Sequence, residues 1–262
     1  MTFPSRKNKP PRRSRLRRIT IGLLAFSVTA LGALFLYTWL SLPDVSGLKS
    51  QRPEMTALMR LRTIQAQKAG RSFTIHQEWI GFNRIPDLIK KTVRITEDAS
   101  FYSHKGIDFA EMKESIKLNL KKRNFVRGGS TITQQLAKNL YLSTEKSLWR
   151  KLKEILIARR LEKALTKDRI FHLYLNTIEF GPGIFGVQAA SKHYFGKDVS
   201  GLTLEEMIRL TAVIPRPLKS DPRKNSGWMK FKGRWIAHKL KLYRYISDEE
   251  YGLLMRAFQS ST

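Results

Sequence analysis

Two neighbouring carboxylates stand in a stretch that could carry out acid–base chemistry. In RITEDASFYSHKGIDF, Glu97 and Asp98 are adjacent, and Phe101 and His104 follow closely. A carboxylate that is desolvated in a cleft beside an aromatic ring gains the raised pKa that suits a general base. Asp98 could hold the following loop by accepting backbone N–H groups. The simpler alternatives are a solvated acidic pair at a helix end or a surface pair of Asp98 with Arg94, and these residues alone favour them.

A second carboxylate lies among cations. In WRKLKEIL, Arg150 precedes Glu154 by four residues, and Lys151 and Lys153 are close by. An i,i+4 ion pair on a helix surface is the ordinary explanation. The functional alternative is a second site carboxylate, flanked by cations that bind phosphate oxygens.

The stretch GGSTITQQLAKN, residues 128–139, indicates an anion site. Two glycines precede a predicted helix N-terminus, where free N–H groups and the positive dipole end attract anions. Gln134 and Lys138 are four residues apart, with Gln135 alongside, and are expected on the face opposite an apolar stripe that begins at Ile132. This mixture suits a sugar phosphate. A plain amphipathic surface helix explains the periodicity but not the glycines and glutamines together.

Other apparent motifs carry less weight. GPGIFG at 181–186 matches G-x-G-x-x-G, but a helical pattern precedes it, so a dinucleotide site is not expected. Two S-x-x-K tetrapeptides lack the companion motifs of penicillin-binding enzymes. The five histidines have no metal-ligand spacing, and the chain has no cysteine, which excludes disulfides and thiolate sites.

The charge balance favours an anionic partner. The chain of 262 residues has 49 Lys and Arg against 21 Asp and Glu, a net charge of +28. Residues 1–18 hold eight of the basic side chains and no acidic one. Such a surface suits nucleic acid, anionic lipid or a phosphorylated substrate. General adhesion to negative membranes explains it equally well.

Residues 19–42 predict one membrane-spanning helix. These 24 residues carry no charge, and a helix of that length is about 36 Å long, enough for a hydrocarbon core of about 30 Å. A cleaved signal peptide is the alternative, with a cleavage-like site at Val28, Thr29 and Ala30. Strongly apolar sequence continues beyond that site, which favours an uncleaved anchor. The basic arm places the N-terminus in the cytoplasm and the remainder outside.

The remainder of the chain predicts a mainly α-helical domain. Residues 43–71 are polar and are expected to be a linker. Residues 72–82 predict one short strand, at most in a small hairpin. From Pro86 onward, apolar residues recur at helical spacing. Five residues are predicted to cap helices: Asp108, Ser130, Ser147, Thr166 and Thr203.

Five motifs occur in a recognisable order. EDASFYSHKG at 97–106 matches E-D-x-x-F-x-x-H-x-G, and 128–139 match G-G-S-T-I-T-Q-Q-x-x-K-N. R-K-x-x-E follows at 150–154, K-x-x-I-x-x-x-Y-L-N at 167–176, and a G-x-x-G block ending in YFG at 183–196. Over residues 72–222 the chain resembles the lysozyme-like peptidoglycan glycosyltransferases of family 51. Since no transpeptidase motif follows, it is most similar to their monofunctional biosynthetic branch.

The resemblance implies a two-lobed, lysozyme-like helical glycosyltransferase domain with a single N-terminal transmembrane helix. The expected organisation is a basic cytoplasmic arm (1–18), the transmembrane helix (19–42), a linker (43–71), the catalytic domain (72–222) and a basic helical C-terminal extension of it (223–262).

The resemblance also implies the reaction. The family polymerises lipid II into β-1,4-linked glycan strands and releases undecaprenyl diphosphate. Glu97 would be the general base for an inverting transfer, and Glu154 would orient or neutralise the donor end. Because nearby cations lower the pKa of a carboxylate, we expect Glu97 beside Phe101 and apart from the lysines, with Glu154 among them. A direct ion pair between Glu97 and Lys138 would contradict this.

The remaining expectations concern ligands and location. No cofactor and no protein metal site are expected, and a divalent cation, magnesium or manganese, at the donor diphosphate is left open. Expected partners are lipid II, the growing glycan strand, the membrane and proteins of division or elongation, but not nucleic acid. The expected location is the bacterial inner membrane, with the catalytic domain periplasmic. The implied substrate-binding residues are Asp98, Phe101, His104, Gly129, Ser130, Thr131, Gln134, Gln135, Lys138, Asn139, Lys146, Arg150, Lys151 and Lys153.

Two alternatives remain at this point. A membrane-anchored lytic enzyme or muramidase would share the carboxylate chemistry, but it explains the cationic helix and the anchor less well. A non-catalytic scaffold that binds cell-wall polymer or anionic lipid would explain the charge alone.

Overall fold

A computed structural model of the chain describes residues 12–122, 128–145 and 147–259. The chain divides into two units after Leu42. Within the described ranges, eleven α-helices and three short strands account for the regular structure, apart from three short 3₁₀ turns. The expectation of a mainly α-helical, lysozyme-like protein is confirmed.

The first unit contains one helix, α1 (Arg12–Leu40). Its segment Arg17–Leu40 is long and apolar enough to cross a membrane. Inside the apolar stretch, the hydroxyls of Ser27 and Thr29 donate to the carbonyls of Leu23 and Ala25, at 2.8 and 2.9 Å. In a hydrocarbon core, such bonds within the helix would satisfy polar groups that water cannot reach. Residues 1–11 of the basic arm lie outside the described residues.

The second unit holds the other ten helices. In chain order they are α2 (Ala57–Lys68), α3 (Asp87–Glu97), α4 (Phe109–Lys121), α5 (Ile132–Tyr141), α6 (Leu148–Ala164), α7 (Lys167–Thr177), α8 (Val187–Phe195), α9 (Leu204–Val213), α10 (Gly227–Leu242) and α11 (Asp248–Ala257). Helix α5 packs against α2, α6 and α7, while α9 packs against α3, α8 and α10.

The strands form one small sheet in the order β1-β3-β2. Strand β1 (His76–Gln77) is parallel to β3 (Ile184–Phe185), and β2 (Glu179–Gly181) is antiparallel to it. The predicted strand at 72–82 is therefore only two residues long. The hairpin joins β2 to β3, over 100 residues further along the chain.

Helix α5 lies in the interior, so the plain amphipathic surface helix that was weighed as an alternative is not observed. Ile132 and Leu136 are fully buried, as the apolar stripe predicts, but Thr133 and Gln134 are buried too. Because other helices cover α5 on several sides, its polar side chains need partners within the protein.

Four of the five predicted caps are confirmed. Asp108, Ser147, Thr166 and Thr203 each accept a hydrogen bond from the backbone N–H three residues later. The prediction for Ser130 is wrong, because Thr131 caps α5 and forms a capping box with Gln134. The Ser130 hydroxyl instead accepts a hydrogen bond from Lys151 Nζ at 2.8 Å.

Residues 43–71, predicted as a linker, contribute to the folded unit. Thr56 caps α2 by accepting from the N–H of Met59, which is fully buried. Met59 packs with Phe185 of β3. The guanidinium of Arg62 holds both carboxylate oxygens of Glu179 in β2, at 2.8 and 2.7 Å. Helix α2 is thus joined to the sheet by apolar packing and by a bidentate ion pair.

We expect Gly186→Ala to lower the free energy of unfolding by about 1–3 kcal/mol. Gly186 has a φ of +83°, and a Cβ there would stand 2.7 Å from the carbonyl oxygen of Asn176. Gly81→Ala is the matched control, because its φ is −63° and a Cβ would meet no atom within 4 Å. Denaturant unfolding of both purified variants checks this, and equal stabilities would contradict it.

Candidate active site

Asp98 joins the end of α3 to the start of α5. Its buried carboxylate accepts a hydrogen bond from the N–H of Ile132, the first residue of α5, at 3.0 Å. His104 Nε2 lies 2.9 and 3.0 Å from the two carboxylate oxygens. The N-terminus of a helix offers unpaired N–H groups and a positive dipole end, so it stabilises a buried anion.

The loop after Asp98 is fixed by a second set of bonds. The Thr131 hydroxyl donates to the carbonyl of Gly106 at 2.7 Å, and the Gly106 N–H donates to His104 Nδ1 at 3.1 Å. Because Nδ1 accepts, the proton of a neutral imidazole resides on Nε2, where it faces Asp98. Gly106 has a φ of +85°, and a Cβ there would stand 2.9 Å from Cγ of Glu162. The motif glycine therefore meets both a backbone and a packing requirement.

Phe101 occupies the core beneath this loop. It is fully buried. Its ring packs against Tyr102 and Phe171, at centroid distances of 5.1 and 5.6 Å, and the Lys167 ammonium lies 4.4 Å from its centroid. This position differs from the substrate-facing one expected from the motif. Phe101 therefore anchors the loop in the hydrophobic core.

Glu97 ends α3, and its partly exposed side chain meets a neutral donor. Its Oε2 accepts a hydrogen bond from Gln135 Nε2 at 3.0 Å. Burial raises the pKa of Glu97 above its usual range, while the Gln135 bond and the charges of Lys232 and Lys138 oppose that shift. Among the described residues no direct ion pair joins Glu97 to Lys138, but Glu97 is not apart from the lysines as expected, because the charges of Lys232 and Lys138 both act on it.

Lys232 is a neighbour of Glu97 that the sequence analysis missed. It lies on α10, partly buried, and its charge acts on the Glu97 carboxylate. Burial lowers the pKa of Lys232, and Glu97 partly restores it. No pattern distinguishes this lysine from others in a basic helix, because only tertiary packing of α10 against α3 brings it close.

Glu154 has the opposite surroundings, as expected. It is 3% exposed. Arg150 Nη1 lies 2.6 Å from its Oε2, and Lys151 Nζ binds its Oε1. Lys151 also donates to Ser130 in the stretch before α5. Both oxygens of this carboxylate are thus held by cations.

The charges of both carboxylates act on Lys138. Burial lowers its pKa, and the charges of Glu154 and, to a smaller extent, Glu97 oppose that shift. Gln135 and Lys138 are three residues apart on α5 and thus share a face. Both are partly exposed, whereas most of α5 is buried. Glu97 and the cations around Glu154 therefore border the same face of α5.

The other predicted substrate-binding residues take several positions. Gln134 is buried and its Oε1 accepts from the Thr131 N–H at 3.0 Å, so it does not share the accessible face of Lys138. Asn139 is buried as well, Lys153 is partly exposed, and Lys146 lies outside the described residues. A Cβ on Gly129 would stand 3.2 Å from Cα of Met112, which leaves little space there for a side chain. Substrate contact by these residues stays a prediction.

The described residues contain no group of three or more His, Cys, Asp or Glu side chains that could hold an ion. Both oxygens of Glu154 are occupied by cationic partners. A divalent cation at this site would need most of its ligands from the substrate diphosphate.

A pair of acidic side chains at one site is typical of enzymes that act at glycosidic bonds. A family model described as transglycosylase matches residues 64–241. The chain therefore belongs to the transglycosylase family. The match extends beyond residues 72–222 and includes most of α10 with Lys232.

Three relatives agree with this assignment, and each is named a biosynthetic peptidoglycan transglycosylase. The protein from Nitrosospira multiformis is 40% identical over 184 residues, which cover 70% of this chain and 80% of the relative. The protein from Nitrosomonas europaea is 39% identical over 230 residues, 88% and 94% of the two chains. The protein from Chromobacterium violaceum is 36% identical over 225 residues, 86% and 97% of the two chains.

We expect Asp98→Ala to lower the free energy of unfolding by about 1–3 kcal/mol, because the buried N–H of Ile132 and the His104 imidazole lose their acceptor. Asp87→Ala is the control. Asp87 lies in the first turn of α3, its side chain is exposed, and it forms a surface ion pair with Lys90. Thermal unfolding should separate the two variants, and a loss as small as that of Asp87→Ala would refute the role of Asp98.

Proposed function

We propose that this transglycosylase polymerises lipid II into β-1,4-linked glycan strands and releases undecaprenyl diphosphate. Its family membership makes the chain a glycosyltransferase of peptidoglycan synthesis. The observation that carries the finer proposal is the contrast between Glu97, which meets a neutral amide, and Glu154, which is held by cations, on one face of α5.

Glu97 is the general base in this proposal. It takes the proton from the 4-hydroxyl of the acceptor sugar, and the oxygen attacks C1 of the donor sugar. The bond from C1 to the diphosphate oxygen breaks, with inversion from α to β. A sugar hydroxyl is a very weak acid, so this step gains most from a positioned base. The raised pKa of Glu97 supports this role because it makes the carboxylate a stronger base.

The cations stabilise the leaving group. A diphosphate departs with its negative charge, so it needs positive groups more than a proton donor. Lys138, Arg150 and Lys151 supply these groups, and Glu154 keeps Arg150 and Lys151 in fixed positions. Glu154 is therefore an organiser of the diphosphate site. A magnesium or manganese ion bound with the donor diphosphate remains compatible with this arrangement.

The proposed location follows from α1. A membrane-spanning α1, with the basic arm in the cytoplasm, would hold the second unit on the periplasmic side of the inner membrane. An anchor of this kind keeps the enzyme where a polyprenyl-linked substrate is held. Proteins of cell division or elongation are further candidate partners.

We expect Glu97→Gln to lower the rate of lipid II polymerisation by about 10²–10⁴-fold, because the amide cannot accept the proton. Binding of lipid II should persist, since the side chain keeps its size and its hydrogen-bonding ability. Polymerisation of labelled lipid II by the purified full-length protein measures the first quantity. Glu114→Gln is the control, because Glu114 is exposed on α4 and pairs with Lys117.

The same preparations decide between the alternatives. Polymerisation that survives Glu97→Gln would remove Glu97 as the base. Protein that makes no polymer but solubilises preformed glycan would favour a lytic enzyme. Lipid binding with neither activity would favour a scaffold.

We expect the rate to fall on the acidic side with a midpoint above pH 4.5, the usual pKa of a glutamate. Glu97 must be ionised to accept a proton, and burial raises its pKa, so activity is lost as the pH falls through that raised value. A pH profile of polymerisation at saturating lipid II measures the midpoint. Lipid II binding, measured in parallel, should not follow this limb. A rate that stays level down to pH 4.5 would contradict the assignment.

A further inference from the structure

A buried tyrosine stands behind the hydrogen bond to Glu97. Tyr174 of α7 is 0% exposed. Its hydroxyl donates to Gln135 Oε1 at 3.0 Å, and Gln135 Nε2 donates to Glu97 Oε2 at 3.0 Å. The three side chains come from α7, α5 and α3. They form a chain of two hydrogen bonds that ends on the carboxylate.

The direction of these bonds follows from the chemistry of the groups. An ionised carboxylate only accepts hydrogen bonds, so the Gln135 amide must present its nitrogen to Glu97. Its carbonyl oxygen then faces Tyr174, where a donor is required. The reversed amide would place a carbonyl oxygen against the carboxylate. Burial and the nearby charges of Glu97 and Asp98 raise the pKa of Tyr174, so the hydroxyl keeps its proton and stays a donor.

We propose that Tyr174 is a positioning residue whose hydroxyl fixes the orientation of the Gln135 amide, so that the amide N–H faces the ionised carboxylate of Glu97. This proposal rests on the assignment of Glu97 as the base. Tyr174 itself is fully buried and has no surface for substrate. It acts on the reaction only through Gln135.

The orientation of the Gln135 amide matters because the charged groups near Glu97 act on it only from a distance. Lys138 of α5, Lys232 of α10 and Asp98 in the adjacent loop all act on its carboxylate. None of them forms a hydrogen bond with Glu97 among the described residues. The Gln135 amide is thus the group that favours the ionised form by direct contact. Losing its orientation removes that stabilisation and raises the pKa of Glu97 further.

Tyr174→Phe deletes only the hydroxyl and tests the proposal. We expect the acid limb of kcat against pH to move upward by roughly 0.5–1 pH unit, which corresponds to a roughly three- to tenfold lower rate on the limb. Above the limb kcat should recover, and KM for lipid II should not change. Tyr194→Phe is the control. Its half-buried hydroxyl donates to Phe180 O at 3.1 Å, and its charged neighbours are Asp221 and Arg223.

Gln135→Met gives a second measurement, because it keeps the length of the side chain and removes both polar atoms. It should move the limb in the same direction, and the double variant should move it no further than Gln135→Met alone. Additive shifts, an unmoved limb in Tyr174→Phe, or a kcat lowered equally at every pH would each overturn the proposal. Should Tyr174→Phe not fold, Tyr174→Met, which also lacks the hydroxyl and fills space flexibly, takes its place: a raised limb supports the proposal, and an unmoved limb overturns it.

Glu97→Gln separates this proposal from the proposed function. An active Glu97→Gln enzyme removes the base assignment itself. An inactive Glu97→Gln enzyme, together with an unmoved limb in Tyr174→Phe, leaves the base in place and removes only the role of Tyr174.

Discussion

The bond between the Asp98 carboxylate and the N-terminus of α5 is the constraint on which the site depends. A buried carboxylate is stable only where fixed donors compensate for lost hydration. Here the N–H of Ile132 and His104 supply that compensation. Since Glu97 precedes Asp98 and Gln135 lies one helical turn after Ile132, the same bond sets Glu97 opposite Gln135. The hydrogen bond from Ile132 to Asp98 thus fixes the geometry of the hydrogen bond from Gln135 to Glu97.

The two carboxylates near α5 have different electrostatic environments. Glu97 meets a neutral amide, and burial is the largest influence on its pKa. Glu154 meets Arg150 and Lys151 directly. If the same cations contacted both carboxylates, Glu97 would be a weaker base. Lys232 acts on Glu97 by its charge alone, without an ion pair among the described residues, so it moderates the raised pKa but does not abolish it.

Helices and their caps were predicted from the sequence more accurately than the burial and the neighbours of individual side chains. The apolar membrane-spanning segment and four helix caps depend on residues close together in the chain, so they can be predicted from a single sequence. Gln134 was misplaced because a helical period gives the angular position of a side chain but not whether another helix covers that side. Lys232 was missed because its proximity to Glu97 exists only after α10 packs on α3. The cap of α5 was placed one residue too early, because Ser130 and Thr131 are adjacent residues that can both cap a helix and their spacing does not tell them apart.

Among the polar side chains of α5, Lys138 is the one best placed to bind an anionic ligand. Burying a polar group without a partner costs free energy, and α5 meets this requirement for Thr133 with Glu162, for Gln134 with Thr131, and for Gln135 with Tyr174. Lys138 differs, because it has no hydrogen bond or ion pair with any residue that the structure describes, and burial lowers its pKa. An anion that reaches this ammonium replaces incomplete hydration with a direct ion pair. On the proposed function, the diphosphate gains most from this cation as its negative charge develops, so the site favours the departing group over the intact donor.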